Sequence, residues 1–223
     1  LVTSSFVLGV LTITSVHKGT FGNSLKMMMN YNSDELTPSG LSTVIVPLSG
    51  GAGDPDLTTF VIPHLEENQY NLIACAYNDN ANLILLRQAL ADNFLATQMQ
   101  DSFLMTSVSD TVSNLVIKAE AINSGFITLL DDYSAFTNGL EFASRNLGYI
   151  ADIAQNNPGL AYLNSEVKGV LALTQRIRDE RNVLAGKGIS TFKLNGTRVI
   201  NEKTVTSYIK DAQGIEDDSF KEL

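Results

Sequence analysis

The stretch from Tyr70 to Leu130 constrains the fold most, because apolar runs of strand length alternate there with stretches of helical period. Tyr70 to Tyr77 is a nearly continuous apolar run, the pattern of a strand in a sheet covered on both faces. Asn78-Asp79-Asn80 supplies a cap, and Ala81 to Phe94 places Leu83, Leu86, Leu90 and Phe94 on one helical face. Phe103 to Ser107 predicts a short strand. Asp110 to Ala121 predicts a helix with Val112, Leu115, Val116 and Ala119 turned inward, and Gly125 to Leu130 predicts a fully apolar strand. A long helix follows from about Thr137 to Gln155, ended by Asn156-Asn157-Pro158-Gly159. This alternation implies an α/β fold with a parallel or mixed sheet and helices on both faces.

The flanks read differently. Leu8, Val10, Leu11, Ile13 and Val16 form a β-rich run, and Gly19-Thr20-Phe21-Gly22-Asn23 is a turn. Leu25 to Tyr31 predicts a second strand; its triplet Met27-Met28-Met29 is explained by ordinary core packing at period two. Asp34 to Gly40 reads as a loop and Leu41 to Leu48 as a third strand. In Gly50-Gly51-Ala52-Gly53-Asp54-Pro55-Asp56, Asp54 suits a helix cap, Pro55 the first helical position and Asp56 the positive end of the dipole, so a helix is expected to about Glu67. Near the other end, Thr174 to Ala185 predicts a charged helix with Arg176 and Glu180 four apart, stopped by Gly186-Lys187-Gly188. Asn195-Gly196 between Ile189–Leu194 and Thr197–Ile200 is a hairpin signal, with Val205 to Ile209 extending the second strand. Glu216 to Leu223 is acidic and polar and is expected to be poorly ordered or to need a partner.

The 223 residues, 44% of them hydrophobic, suffice for a sizeable core. A formal net charge of −9 and the lack of a basic stripe argue against nucleic acid and anionic membrane surfaces as partners. No stretch approaches the roughly 20 apolar residues of a membrane span. The run from Phe6 to Val16 is broken by Thr12, Thr14 and Ser15, so it is neither a span nor a signal peptide. The chain starts with Leu and not Met, which suggests a fragment or a processed chain.

No constellation gathers into a site. The glycine-rich turn lies where phosphates bind, but it lacks the Gly-Lys-Ser/Thr end of a P-loop, and Asp54 and Asp56 would repel an anion. Asn78, Asp79, Asn80 and Asn82 resemble pieces of a calcium loop with the wrong spacing. Asp131 and Asp132 follow a strand end, where α/β ligand sites gather, yet capping explains them. No serine sits in a Gly-x-Ser-x-Gly setting, and neither His17 nor His64 is placed like a general base. Cys75, the only cysteine, lies inside an apolar run and reads as a small buried hydrophobe. No catalytic, cofactor-binding or metal-ligating residue and no cofactor is therefore assigned.

Several passages together resemble the tail sheath proteins of contractile-tailed bacteriophages, most closely the Mu-like branch. Leu11-Thr12-Ile13-Thr14 leading into Lys18-Gly19-Thr20-Phe21-Gly22-Asn23 is similar to a strand and a Gly-Thr-x-Gly-Asn turn of that family. Leu48 to Leu57 resembles its glycine-rich lead into a helix. Tyr70 to Tyr77, Asn78 to Leu83 and Leu86 to Phe94 resemble its strand and helix. Val167 to Ala172, Arg181 to Leu184 and Gly188 to Phe192 are similar to its late core segment. The shared order of these motifs over nearly the whole chain carries the likeness.

The resemblance implies a subtilisin-like α/β core without the protease's catalytic residues, in a structural and non-enzymatic protein. It implies a homo-oligomer of stacked rings in the virion tail, assembled in the bacterial host cytoplasm, with the tail tube, baseplate and tail terminator proteins as partners. It implies too that arms linking neighbouring subunits lie outside this chain, so no residue is assigned an inter-subunit contact. The expected organisation is a partial β-rich segment over 1–50, an α/β core over 51–185, and a β-hairpin with the start of a C-terminal domain over 186–223. The rival readings are the sheath of a related secretion system or bacteriocin, an unusual hydrolase on the same fold, and an α/β module that binds a small ligand.

Overall fold

The computed structural model describes residues 2–30, 34–157 and 162–219, which fall into two units, Leu1–Pro55 and Asp56–Leu223. The first unit opens with strands β1 (Val2–Val7) and β2 (Val10–Ser15), paired antiparallel with Val7 opposite Val10. The β-rich run expected from Leu8 to Val16 is thus the tip and second strand of a hairpin whose first strand the sequence reading missed, and the tip is Leu8-Gly9, both at positive φ (50° and 81°). Thr20–Ser24 is a turn of 3-10 helix. Neither Leu25 to Asn30 nor Leu41 to Leu48 forms a strand, and Tyr31 lies outside the described residues. Among the described residues neither segment has a neighbouring strand to pair with, and pairing is what makes a strand. Met28 and Met29 are correspondingly exposed, against the expectation of core packing.

The second unit begins with helix α1 (Val61–Glu67). It starts later than expected, because Asp54 and Asp56 do not cap it. Asp56 instead accepts hydrogen bonds from Thr58 N and Oγ1, at 2.9 and 2.7 Å. The expected alternation then appears as β3 (Leu72–Cys75), α2 (Asn80–Phe94), β4 (Phe103–Val108), α3 (Val112–Ile122), β5 (Ile127–Asp131) and α4 (Gly139–Asn156). Helix α5 (Arg178–Gly186) and the hairpin β6 (Ile189–Asn195) and β7 (Arg198–Lys203) complete the unit. Side chains close the first turn of three helices: Asp79 accepts from Asn82 N, Thr111 from Asn114 N and Asn138 from Leu140 N. Pro158 and Gly159, read as part of the stop of α4, lie outside the described residues.

The sheet order is β3-β4-β5-β6-β7, parallel from β3 to β6 and antiparallel at β7, so the sheet is mixed and the fold is α/β. The period of two along each strand sorts the core onto two faces. Leu104, Val108, Ile127 and Leu129 join Leu83, Leu86 and Leu90 of α2, Leu115 and Ile122 of α3 and Leu184 of α5. Met105, Leu130, Phe192 and Val199 join Phe142, Ala143, Leu147 and Ile150 of α4. Phe142 and Phe192 meet edge to face with ring centroids 5.7 Å apart. β3 is shorter than expected and only half-buried because it is an edge strand. Phe94 is 54% exposed at the end of α2, although the helical pattern placed it with Leu90.

The far edge of the sheet is covered by the chain itself. Asn164 N donates to Asn201 O, Asn201 N to Ser165 O and Val167 N to Val199 O, at 2.7 to 2.9 Å. The β6–β7 loop is Gly196-Thr197, one residue later than the Asn-Gly reading, since Asn195 pairs with Arg198 inside the ladder. Only Gly196 of that pair has positive φ, 62°, which is the pattern of a type II′ turn. Val205 to Ile209 does not extend β7. It turns to bond other strands: Thr128 Oγ1 and Ser190 Oγ donate to Val205 O, and Ser207 N donates to Ile127 O. The acidic end is tied down where it is described. Glu216 accepts from Lys187 Nζ at 2.8 Å, and Asp217 accepts from Tyr208 Oη at 2.8 Å.

Two substitutions test this packing. Leu129 is fully buried between α2, α3 and the sheet, so Leu129→Ala should lower unfolding free energy in urea by about 3 kcal/mol. Gly188 has φ +77°, and a Cβ there would lie 2.9 Å from Ser207 Cα and Thr206 O. Gly188→Ala should therefore destabilise by more than about 1 kcal/mol, read in the same titration, whereas Ala at open Gly148 should not.

Candidate functional site

The carboxyl ends of the parallel strands are where an α/β sheet would hold a ligand. Asp131 ends β5 and is buried. Arg176 reaches it from the segment before α5, with Nε 2.7 Å from Oδ2 and Nη2 3.2 Å from Oδ1. The same Nη2 donates to Asp110 O at 2.6 Å, and the guanidinium lies 4.4 Å from the centre of the Tyr133 ring. Arg176 was expected on a helix with Glu180; it instead precedes α5 and turns inward to the buried acid. Arg181 Nη1 then donates to Arg176 O at 2.5 Å, and Arg181 pairs with Glu202 of β7. Burial pushes the Asp131 carboxyl up, and the Arg176 hydrogen bonds and charge pull against it. An acid held in this way is a cross-link between β5, the connecting segment, α5 and β7, not a free general base.

Asp132 is also buried, and Ser107 Oγ of β4 donates to its Oδ2 at 2.8 Å. Its Oδ1 has no hydrogen-bond partner among the described residues. Gly139, the first residue of α4, is pressed against this pair, since a Cβ there would meet Ser107 Oγ at 2.5 Å and Asp132 Oδ2 at 3.1 Å. The imidazole of the second unit, His64, is engaged elsewhere. His64 Nε2 is 2.7 Å from Tyr70 Oη and its Nδ1 is 3.4 Å from Asn68 Nδ2. His17 belongs to the first unit, where its carbonyl accepts from Ser15 Oγ. Among the described residues of the second unit, the serine, acid and base of hydrolytic chemistry are not brought together.

The other candidates resolve into structure. Both Asp79 oxygens bond Asn82, and Asn78 Nδ2 donates to Ser107 O, so the calcium-like fragment is a cap and a loop brace. Among the described residues no group of three or more His, Cys, Asp or Glu could hold a metal. No described helix is long and apolar enough to cross a membrane. Cys75 is partly exposed rather than buried. Burial still pushes its thiol up to about 11, and Sγ lies 3.3 Å from Tyr77 O.

In the first unit, the two glycine turns read separately in the sequence meet each other. Thr20 N and Oγ1 donate to Asp54 Oδ1 and Oδ2, at 2.6 and 2.7 Å. The Asn23 carboxamide pairs in both directions with the Gly51 backbone, at 2.9 and 2.8 Å. Asp54 thus occupies the anion position that a phosphate would need. Gly51 is required here, because a Cβ would collide with Gly19 O and lie 2.8 Å from Asn23 Oδ1. Around these turns an apolar cleft of about 1250 Å³ is lined by Leu11, Ile13, Met27, Met29, Val44 and Val46 among others. Phe6 is 70% exposed, Leu8 98% and Val44 88%, so the unit leaves much of its apolar surface uncovered. The sequence missed these contacts because partners 28 to 34 residues apart leave no local periodic signal.

Arg176→Met strands the buried Asp131 carboxylate and should cost about 3–5 kcal/mol in urea unfolding, while Asp131→Leu combined with Arg176→Met should recover most of it. For Cys75, the raised thiol value means less thiolate near neutrality. Alkylation by iodoacetamide in mildly alkaline buffer should run at least about tenfold slower in the folded protein than in urea, after the higher intrinsic reactivity of a high-pKa thiolate is allowed for.

No family model matches the chain. Over 214 residues, 94% of its length, it is 28% identical to the Mu-like prophage FluMu tail sheath protein of Haemophilus influenzae. The match spans 44% of that relative, so the chain spans less than half the length of the curated protein it matches. Its fold is similar to that of the sheath tail protein of Desulfitobacterium hafniense, with a TM-score of 0.54 at 10% identity, covering 83% of this chain and 43% of the other. The chain is therefore similar in sequence to a Mu-like prophage tail sheath protein and is built on a fold found in a sheath tail protein.

Proposed function

We propose that this chain is part of a structural subunit of a contractile phage tail sheath, which assembles with further copies into stacked rings around a tail tube and shortens to drive the tube through the host envelope. The observation that carries the reading is the 28% identity sustained over 94% of the chain, with the sheath-type fold beside it. Two features of the chain fit a mechanical and non-catalytic role. The polar groups at the strand ends are committed to one another, as Asp131 is to Arg176 and Ser107 to Asp132. The first unit leaves strand-forming apolar segments uncovered, which suits contact with other protein surfaces.

In this reading the subunit acts as a rigid body whose packing differs between the extended and contracted sheath. The driving energy is the difference in contact free energy between the two packings, and no nucleotide is consumed. The partners are other copies of the full-length protein, the tail tube, and the baseplate and tail terminator proteins. The place of action is the virion tail, after assembly in the host cytoplasm.

The test is electron microscopy of a complete protein carrying this chain. Negatively stained preparations should show tubes or stacked rings, formed without added nucleotide. A complete protein that stays monomeric at high concentration, in the presence and absence of its tail tube, would overturn the reading.

A further inference from the structure

The chain contains Asn-Gly twice, at Asn138-Gly139 and Asn195-Gly196, and the fold gives the two pairs opposite surroundings. Glycine lacks a Cβ, so the amide nitrogen that follows the asparagine is open to approach by the side-chain carbonyl carbon. Asparagine in such a setting is a chemically labile residue. At Asn138 the carboxamide is engaged: its Oδ1 accepts from Leu140 N at 2.9 Å as the cap of α4. Gly139 is buried as the first residue of that helix, wedged against Ser107 and Asp132. Ring closure there would require the cap to break and the helix start to unwind.

Asn195 is exposed at the end of β6, and no side-chain hydrogen bond holds its carboxamide among the described residues. Gly196 is in the turn, outside both strands, with φ +62° and open space around its Cα. We propose that Asn195 is a site of spontaneous deamidation and isoaspartate formation, and that the fold protects Asn138 from the same reaction. The Gly196 backbone nitrogen attacks Asn195 Cγ and the N–Cγ bond forms. The Cγ–Nδ2 bond breaks, and ammonia leaves with the proton from the Gly196 nitrogen. Water then opens the succinimide at either carbonyl, giving aspartate or isoaspartate at position 195.

Either product changes the hairpin. Aspartate places a negative charge opposite Arg198, the cross-strand partner of Asn195. Isoaspartate adds a main-chain carbon between Asn195 and Gly196, which disturbs the two-residue turn and the register that β7 offers to Glu166 and Val167.

The experiment incubates the folded chain, and a parallel sample in urea, in mildly alkaline buffer at physiological temperature. Trypsin then releases Leu194–Arg198 separately from the peptide that ends at Arg145 and holds Asn138. Mass spectrometry reads the amide-to-acid mass gain, and isoaspartyl methyltransferase labelling reads the isoaspartate. In the folded sample Asn195 should convert at least about tenfold faster than Asn138, and in urea the two should convert at similar rates. Equal rates in the folded protein would overturn the proposal, as would an unmodified Asn195. A difference that persists unchanged in urea would also overturn it, since the fold would then protect nothing.

Discussion

The buried pair of Asp131 and Arg176 is the constraint on which the second unit depends. A carboxylate at the end of a central strand is costly in an apolar interior unless its charge is met. Here the charge is met from outside the sheet, by a side chain 45 residues further along the chain. That requirement fixes the path of the segment before α5, and Arg181 then fixes α5 itself by donating to Arg176 O and pairing with Glu202. The pair therefore determines how the helix packs and which way the β6–β7 hairpin is approached. Replacing both residues by apolar ones would remove a charge problem, but it would also remove a direction-specific link along this route.

The first unit solves a similar problem with a different chemistry. Thr20 in its first glycine turn donates from its backbone N and its hydroxyl, and Asp54 of the second turn accepts both. Asn23 and Gly51 add a reciprocal amide pair that needs the absence of a side chain at Gly51. Polar groups are thus paired internally in this unit while apolar ones are left open, the reverse of what a ligand-binding pocket for a charged small molecule would show.

The alternation of strands and helices was legible because each element has its own period. Leu83, Leu86 and Leu90 recur at helical spacing, and Leu104, Met105, Leu129 and Leu130 divide cleanly between two sheet faces. The cap at Asp79 was legible as turn chemistry next to its helix, whereas Asn138 was read as lying inside a helix from about Thr137 and turns out to cap it. What failed was whatever depends on partners distant in sequence. Leu41 to Leu48 has the composition of a strand, yet a strand needs a neighbour, and composition does not name one. Asp54 looked like a cap because Pro55 follows it, but Thr20 claims its carboxylate first. Arg176 looked like half of a helical ion pair because Glu180 lies four residues on, whereas a buried carboxylate is the stronger attraction in a low dielectric. The candidate site shared this fate: Asp131 and Asp132 were read as caps after a strand end, whereas Asp131 is the last residue of β5 and pairs with Arg176, and Asp132 accepts from Ser107.

This division of labour bears on what a mechanical subunit needs. Transmitting force through many copies requires a body that does not deform, and a close-packed sheet with helices on both faces meets that need because interiors are dense and poorly compressible. Internal ion pairs such as Asp131–Arg176 add direction to that stiffness. A body that must exchange neighbours also needs surface that is not satisfied internally. The covered edge at β7 and the exposed strands β1 and β2 separate those two demands within one chain. Where Asn164 to Val167 already bond to β7, no further strand can add without displacing them. Among the described residues, one edge of the sheet is covered by the chain itself, and no strand pairs with the outer edge of β3. Under the proposed sheath function, a body organised this way is held through its surface and not through its core.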